Sequence, residues 1–249
     1  MPDTLLTNLD AGVLALTFHR PQKKNAFTGE MYDAATRALL EADQNEAVRV
    51  VVLSGAGGTF TAGNDLKDFL EHPPTDEDSP VFRFLRALAH HSRPVVAGVD
   101  GVAVGIGTTL LLHCDYVVAT ERTVFSMPFI NLGLCPEGAS SLLLPRVAGM
   151  ALASELLLFG DAFDAATALR AGLLNQVVPE ARLAEVVHQR AAALAAKPVE
   201  SLRLTKRLLR EPLRATVDEA LSREGTHFLQ RLGSAEALEA FNAFLSKKK

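Results

Sequence analysis

Two glycine-flanked loops carry the backbone in this chain best suited to chemistry. They are Ala62-Gly63-Asn64-Asp65, which follows the β-branched run Val48 to Ser54, and Gly105-Ile106-Gly107, which follows Pro94 to Val99. Glycines let backbone N–H groups approach a ligand atom, and the second loop opens an apolar helical stretch whose N-terminal end favours developing negative charge. A pair of such N–H groups makes an oxyanion hole. The same glycines also suit plain tight turns, and the residues alone leave both readings open. Glu137, between Pro136 and Gly138, is open in the same way, as a solvent-facing turn residue or as an acid–base group.

Other chemistries are excluded by pattern. Neither glycine loop completes a G-x-G-x-x-G fingerprint, since Phe60 and Leu110 stand where the third glycine is needed, and no G-K-[ST] or G-x-S-x-G run occurs. Cys114 and Cys135 form no Cys-x-x-Cys pair and the seven histidines show no metal-ligand spacing, so neither a metal site nor a disulfide framework is expected.

The elements that must position these loops follow from periodicity. Residues 4–8 and 13–18 flank Leu9-Asp10-Ala11-Gly12 as a hairpin, and Arg20 to Phe27 is a loop. Thr28 is placed to cap a helix running to about Asn45, with Met31, Ala35, Ala38, Leu39 and Ala42 on its apolar face. Val48 to Ser54 and Pro94 to Val99 read as buried strands. Between them, Gly55 to Asp65 and the acidic, proline-bearing Glu71 to Pro80 read as loops, and Phe82, Leu85 and Ala89 mark a short helix. An apolar helix is expected over Thr108 to His113, then short strands at 116–119 and 124–126, then helical patterns from about residue 138 to the end. The predicted class is α/β, built of strand-strand-helix units, with a core over residues 1–195 and a helical part over 196–249.

At 249 residues, 48% hydrophobic and 22% charged, the chain is long enough for a large core and ordinary for a soluble globular protein. The start at Met1 lacks a signal-peptide pattern and no apolar run approaches a bilayer span, so a cytoplasmic (or organelle-matrix) protein without membrane contact is expected. The net charge of −4 gives no reason to expect nucleic acid. The part from Ala196 onward is the basic one, either a solvated face with a Lys247-Lys248-Lys249 tail or a contribution to holding a polyanion.

Phe60-Thr-Ala-Gly-Asn-Asp-Leu-Lys67, Pro94-Val-Val-Ala-Gly-Val-Asp-Gly-Val-Ala-Val-Gly-Ile-Gly107 and Cys114-Asp-Tyr-Val-Val-Ala119 together resemble the signature of the crotonase (enoyl-CoA hydratase/isomerase) family. Arg20-Pro21 to Asn25-Ala26, Leu157 to Asp161 and Ala171 to Val178 fit the same pattern in the same order, so the resemblance spans nearly the whole chain. It implies a spiral of ββα units, a helical C-terminal part that packs in trimers or hexamers, and an acyl-CoA thioester as substrate, with coenzyme A entering only as part of it. The oxyanion donors would be the N–H groups of Asn64 and Ile106. Family hydratases carry two glutamates where this chain has Thr109 and Phe129, which disfavours water addition.

Pro136-Glu137-Gly138 is instead similar to the monofunctional Δ3,Δ2-enoyl-CoA isomerases, whose single glutamate sits there, and one carboxylate suffices for a 1,3-proton shift. Substrate contacts are expected from Lys23, Lys24, Ala62, Asp65, Leu66, Phe129 and Leu134, with Lys67 nearby. Phe129, Ile130 and Leu134 would form an apolar wall around Glu137. Phe228, Phe241 and Phe244 would either cover the acyl chain or belong to the core. Hydration, thioester hydrolysis, C–C cleavage and a non-catalytic acyl-CoA binding protein remain alternatives.

Overall fold

The computed structural model describes residues 4–246; the extreme N-terminus and the Lys247–Lys249 tail lie outside them. The chain opens with the expected hairpin, β1 (Leu5–Asp10) against β2 (Val13–Phe18), closed by Ala11 and Gly12, both at positive φ (46° and 81°). Two successive residues of that hand match the right-handed twist of the strands. Helix α1 (Gly29–Gln44) begins where expected, the Thr28 side chain accepting from the Met31 N–H. β3 (Val50–Gly55) then lies parallel to β2.

The glycine-rich loop ends at Asp65 as expected, and the unassigned residues after it form a helix. Asp65 caps a helix α2 (Leu66–Glu71) by accepting from the N–H groups of Lys67 and Asp68. α3 (Pro80–His90) leads to β4 (Val95–Val99), β5 (Val102–Val104) and the one-turn helix α4 (Ile106–Thr109), which continues as a 3₁₀ turn to His113. The helix thus starts at Ile106, not Thr108.

β6 (Tyr116–Thr120) and β7 (Val124–Ser126) follow, then α5 (Ser140–Ala148) and α6 (Met150–Phe159). α5 starts two residues later than expected because Gly138 and Ala139 are both left-handed (φ 71° and 55°). The expectation of helices alone after residue 138 is corrected by two short strands. β8 (Phe163–Asp164) pairs with β7, and β9 (Gln176–Val178) adds a parallel edge beside β6. α7 (Ala165–Arg170) lies between these strands, and α8 (Leu183–Ala195), α9 (Val199–Arg210), α10 (Arg214–Leu232) and α11 (Ala235–Ser246) complete the chain.

The large sheet runs in the order β1-β2-β3-β4-β6-β9, and a smaller one runs β5-β7-β8. Single bridges Phe27–Asn64 and Thr61–Ala103 carry the small layer's pattern back toward the N-terminus. Each turn of chain therefore places one strand in the large sheet and one segment in the second layer, which is the spiral of ββα units.

Alternate side chains of the parallel strands bury both faces. Val51, Leu53, Val95, Ala97, Val117 and Ala119 enter the main core, while Val50, Val52, Val96, Val118 and Val178 meet Val186, Val187, Ala191 and Ala195 of α8. Each buried valine contributes on the order of 1.5–3 kcal/mol relative to exposure. Gly98 lets α8 sit close, because a Cβ there would lie 2.9 Å from Val187.

Candidate active site

The two glycine loops are pressed together by their backbones. Thr61 N–H donates to the Val102 carbonyl at 3.0 Å and Val104 N–H returns to the Thr61 carbonyl at 3.1 Å. A Cβ on Gly63 would fall 2.5 Å from the Val104 carbonyl oxygen, and one on Gly107 would fall 2.6 Å from the Thr61 methyl, so both glycines are required by contact. Neighbouring amides are used up, Gly63 by Thr61 Oγ1, Asp65 by the Phe27 carbonyl and Gly105 by the Ser126 carbonyl. Among the described residues, no acceptor takes the N–H of Asn64 or of Ile106. The two amides expected to form the oxyanion hole are thus the free donors of adjoining loops, one of them at a helix N-terminus. Asn64 is held from its other end, its Oδ1 accepting from Tyr32 Oη at 2.5 Å.

Glu137 is no solvent-facing turn residue: it is only 2% exposed. Its Oε1 accepts from Thr109 Oγ1 at 2.5 Å, and its buried Oε2 has no partner among the described residues. Burial pushes its carboxyl up to about 8; the Thr109 hydrogen bond pulls the other way and the nearby charge of Glu224 adds to the rise. Tyr32 is held well above its ordinary value by burial and by Glu137, which places α1 beside the carboxylate.

The turn presenting Glu137 is fixed from below by His113, whose Nε2 is 2.8 Å from the Gly138 carbonyl. Burial lowers this imidazole to about 4, so it is neutral at neutral pH, and facing a carbonyl its Nε2 must carry the proton. Gly138 packs on Thr109, where a Cβ would lie 3.2 Å from Oγ1.

The remaining expected site residues divide. Phe129 and Leu134 are buried, and Phe129 stands over Gly105. Ile130 is 51% exposed and so is no part of an apolar wall around Glu137. Lys23 and Lys24 are exposed on a loop zipped to the Gly63 loop, with Ala62 N–H donating to the Lys24 carbonyl at 2.9 Å and Phe27 N–H to Gly63 at 2.8 Å. Leu66 is half-buried against the core at the start of α2. The Asp65 carboxylate is committed to its cap and to Arg20 at 3.0 Å, so any contact with a ligand here must come from backbone. Lys67 is exposed and pairs with Glu71.

Phe228 is core, edge-on to Phe69 and Phe82, and Phe241 is also buried; the Phe244 side chain lies outside what is described. The inner cations of the basic C-terminal part have partners within the fold: Lys206 binds Asp115 at 2.7 Å and the Arg93 carbonyl, and Arg210 binds Asp115 and the carbonyls of Leu112 to Cys114. Burial raises Cys114 to about 12 and Cys135 to about 11, so neither thiol is an active nucleophile. Among the described residues no cluster of three or more His, Cys, Asp or Glu could hold a metal ion, and no helix is long and apolar enough to cross a membrane.

The enoyl-CoA hydratase/isomerase family model matches residues 8–249. The chain belongs to this family. It is 37% identical to the 1,2-epoxyphenylacetyl-CoA isomerase of Escherichia coli over 100% of this chain and 97% of that protein. It is 35% identical to human enoyl-CoA delta isomerase 2 over 99% of this chain, spanning 64% of the human protein. The solved structure of Pseudomonas aeruginosa OdaA superposes with a TM-score of 0.95 at 43% identity, covering 98% of this chain and 99% of that one. The crotonase fold is thereby established, and with it a family whose members act on acyl-CoA thioesters.

Sequence reading overlooked Tyr32, His113 and Glu224. Tyr32 and His113 lie in apolar helical runs that read as core. Glu224 left a signal: Ala220, Leu221, Gly225 and Phe228 define a buried stripe on α10, and a carboxylate falls on it.

Proposed function

We propose that this enzyme is a Δ3,Δ2-enoyl-CoA isomerase. A 3-enoyl-CoA thioester binds with its carbonyl oxygen between the N–H groups of Asn64 and Ile106. Ionised Glu137 removes a proton from carbon 2, the electron pair delocalises over carbon 4 and the thioester oxygen, and the two amides hold the dienolate. Protonated Glu137 then delivers the same proton to carbon 4, giving the 2-enoyl thioester with no net change in atoms.

The observation that carries this reading is the buried Glu137 carboxyl, poised near 8 with one oxygen on Thr109 and the other unpartnered. A base whose pKa lies near the working pH can both take and return a proton. Thr109 and Phe129 stand where family hydratases carry their acid and base, and neither can replace them. Relatives named as enoyl-CoA delta isomerases and as probable enoyl-CoA hydratases both occur, so the decision rests on these side chains.

The exposed Lys23 and Lys24, joined to the Gly63 loop, suit the phosphates of the coenzyme. Exposed Leu158 and Phe159 (66%) at the end of α6 adjoin Ile130 as an apolar surface. Such a patch fits an interface between copies of the chain, in a trimer or a dimer of trimers, with residues from 196 on closing over the core. Cytoplasmic residence belongs to the same reading.

The test sets 3-hexenoyl-CoA beside crotonyl-CoA. Wild type should isomerise the first and hydrate the second little, and Glu137→Gln should lose ~10²–10⁴-fold of the isomerase rate while still binding the thioester. Faster hydration than isomerisation, or a fully active Gln variant, defeats the proposal. A second reading, isomerisation of an aryl epoxide thioester, is favoured by the name of the Escherichia coli relative and by its near-complete coverage. 1,2-Epoxyphenylacetyl-CoA in the same assay separates the two.

A further inference from the structure

Helix α10 grips the loop that carries Glu137 at both ends. Near one end, Arg231 Nε donates to the Gly133 carbonyl at 3.0 Å and Cys135 Sγ lies 3.9 Å from the Glu224 carbonyl. At the other, Glu224 Oε1 accepts from the Ser141 N–H at 2.9 Å and from Ser141 Oγ at 2.5 Å. That N–H is one of the first-turn donors of α5, which no helical carbonyl can satisfy. Glu137 sits between these anchors, just before the left-handed pair Gly138 and Ala139, and that conformation is costly for alanine.

Capping alone does not require a buried carboxylate, since a neutral side chain accepts the same two hydrogen bonds without the cost of burying charge. Yet Glu224 is 5% exposed, and its Oε2, like that of Glu137, is buried without a partner among the described residues. The groups facing Glu137 from other elements are Tyr32 on α1, with Asp68 of α2 behind it, and His113 on the 3₁₀ turn; Cys135 is on its own loop. At neutral pH Tyr32 and Cys135 are protonated and His113 is neutral, so Glu224 is the group able to set a charge against Glu137. Burial raises the Glu224 carboxyl, while the Ser141 donors and the neighbouring Arg223 favour its ionised form.

We infer that Glu224 is a positioning residue for Glu137: through Ser141 it fixes the turn that aims the carboxyl, and its own carboxylate opposes the ionisation of Glu137. The inference rests on Glu137 being the proton-carrying group of the isomerase.

The experiment follows the Glu137 carboxyl by ¹³C NMR in protein labelled at glutamate, with Glu137→Gln assigning the resonance, in wild type, Glu224→Gln and Glu224→Ala. Glu224→Gln keeps the acceptor for Ser141 and removes the charge, so the Glu137 midpoint should fall by roughly one pH unit. The acid limb of kcat/KM should move down with it, with the plateau kept within about threefold. Glu224→Ala also frees the turn and should cost ~10-fold in plateau kcat with KM little changed.

An unmoved Glu137 midpoint in the Gln variant, or a wild-type plateau in the Ala variant, overturns the inference. Should the Ala variant not fold, Ser141→Ala removes the hydroxyl donor and carries the same expected loss in kcat. Because the NMR midpoint needs no turnover, a shifted midpoint in an enzyme that does not isomerise would sink the proposed function and leave the link between Glu224 and Glu137 standing.

Discussion

Glu137→Gln should make the protein more stable, and increasingly so as pH rises. The folded chain holds the Glu137 carboxyl at about 8 against an ordinary 4.5, chiefly by burial. Between those values the folded state binds a proton that the unfolded state has released, so ionisation penalises folding progressively as pH climbs. The stability associated with this group is full below about 4.5, falls through the interval and levels off above 8.

Integrating the linkage relation over those two values gives a loss of about 4 kcal/mol between pH 5 and pH 9. Gln has nearly the same shape, accepts the Thr109 hydrogen bond through its carbonyl oxygen and has no proton to lose. Urea unfolding of wild type and variant at fixed protein concentration, at pH 5, 7 and 9, should show a small gap at pH 5 that widens in favour of the variant by about 4 kcal/mol at pH 9. Other buried titrating groups are common to both proteins and cancel, apart from the share that Glu224 owes to Glu137. A gap constant from pH 5 to pH 9 would refute the raised carboxyl, and with it the account of how Glu137 serves as a base near neutrality.

Thr109→Val removes the hydroxyl that stabilises ionised Glu137, so the acid limb of the pH–rate profile should move to higher pH and the rate at pH 7 should drop ~10-fold; an unmoved limb counts against the contact. Lys23→Ala with Lys24→Ala should raise KM for the CoA ester several-fold at low salt and by ~2-fold or less at 0.5 M salt, where surface charge is screened. Phe159→Glu puts charge into the exposed apolar surface of α6 and should lower the mass measured by light scattering to that of the single chain; an unchanged assembly would place the interface elsewhere.

What could be read from residues alone was whatever depends on local pattern. The Thr28 cap and the 3.6-residue spacing through Ala42 located α1, and alternating valines located the parallel strands. Phe163–Asp164 and Gln176–Val178 do not read as strands because strands of two and three residues carry no period; they exist through pairing with β7 and β6. The helix from Leu66 is not assigned from pattern because it is only six residues long and its cap, Asp65, sits in a run that looks like ligand-binding turn. Asn64, Ile106 and Glu137 are singled out through ordered motifs, and an apolar enclosure of Glu137 is expected from the family resemblance, not from the residues around it. Pro136-Glu137-Gly138 is a turn by composition, and it is buried through partners distant in sequence, Thr109, Tyr32 of α1 and Glu224 of α10.

On the proposed reading, one carboxylate serves a site that family hydratases run with two. At position 109 a short hydroxyl side chain replaces a glutamate, and the Glu137 carboxyl occupies the neighbourhood with Oε1 on the Thr109 oxygen. At position 129 an aromatic ring stands buried beside the Gly105 turn, where a second carboxylate would need to meet water. Hydration requires a water held between two titrating groups, and on this reading neither Thr109 nor Phe129 can serve as the second of them. What remains is a single carboxylate with its two oxygens made unequal. Oε1 is an acceptor for Thr109 and Oε2 is buried and unpartnered among the described residues, so on the proposed mechanism Oε2 is the atom that would carry the proton from carbon 2 to carbon 4.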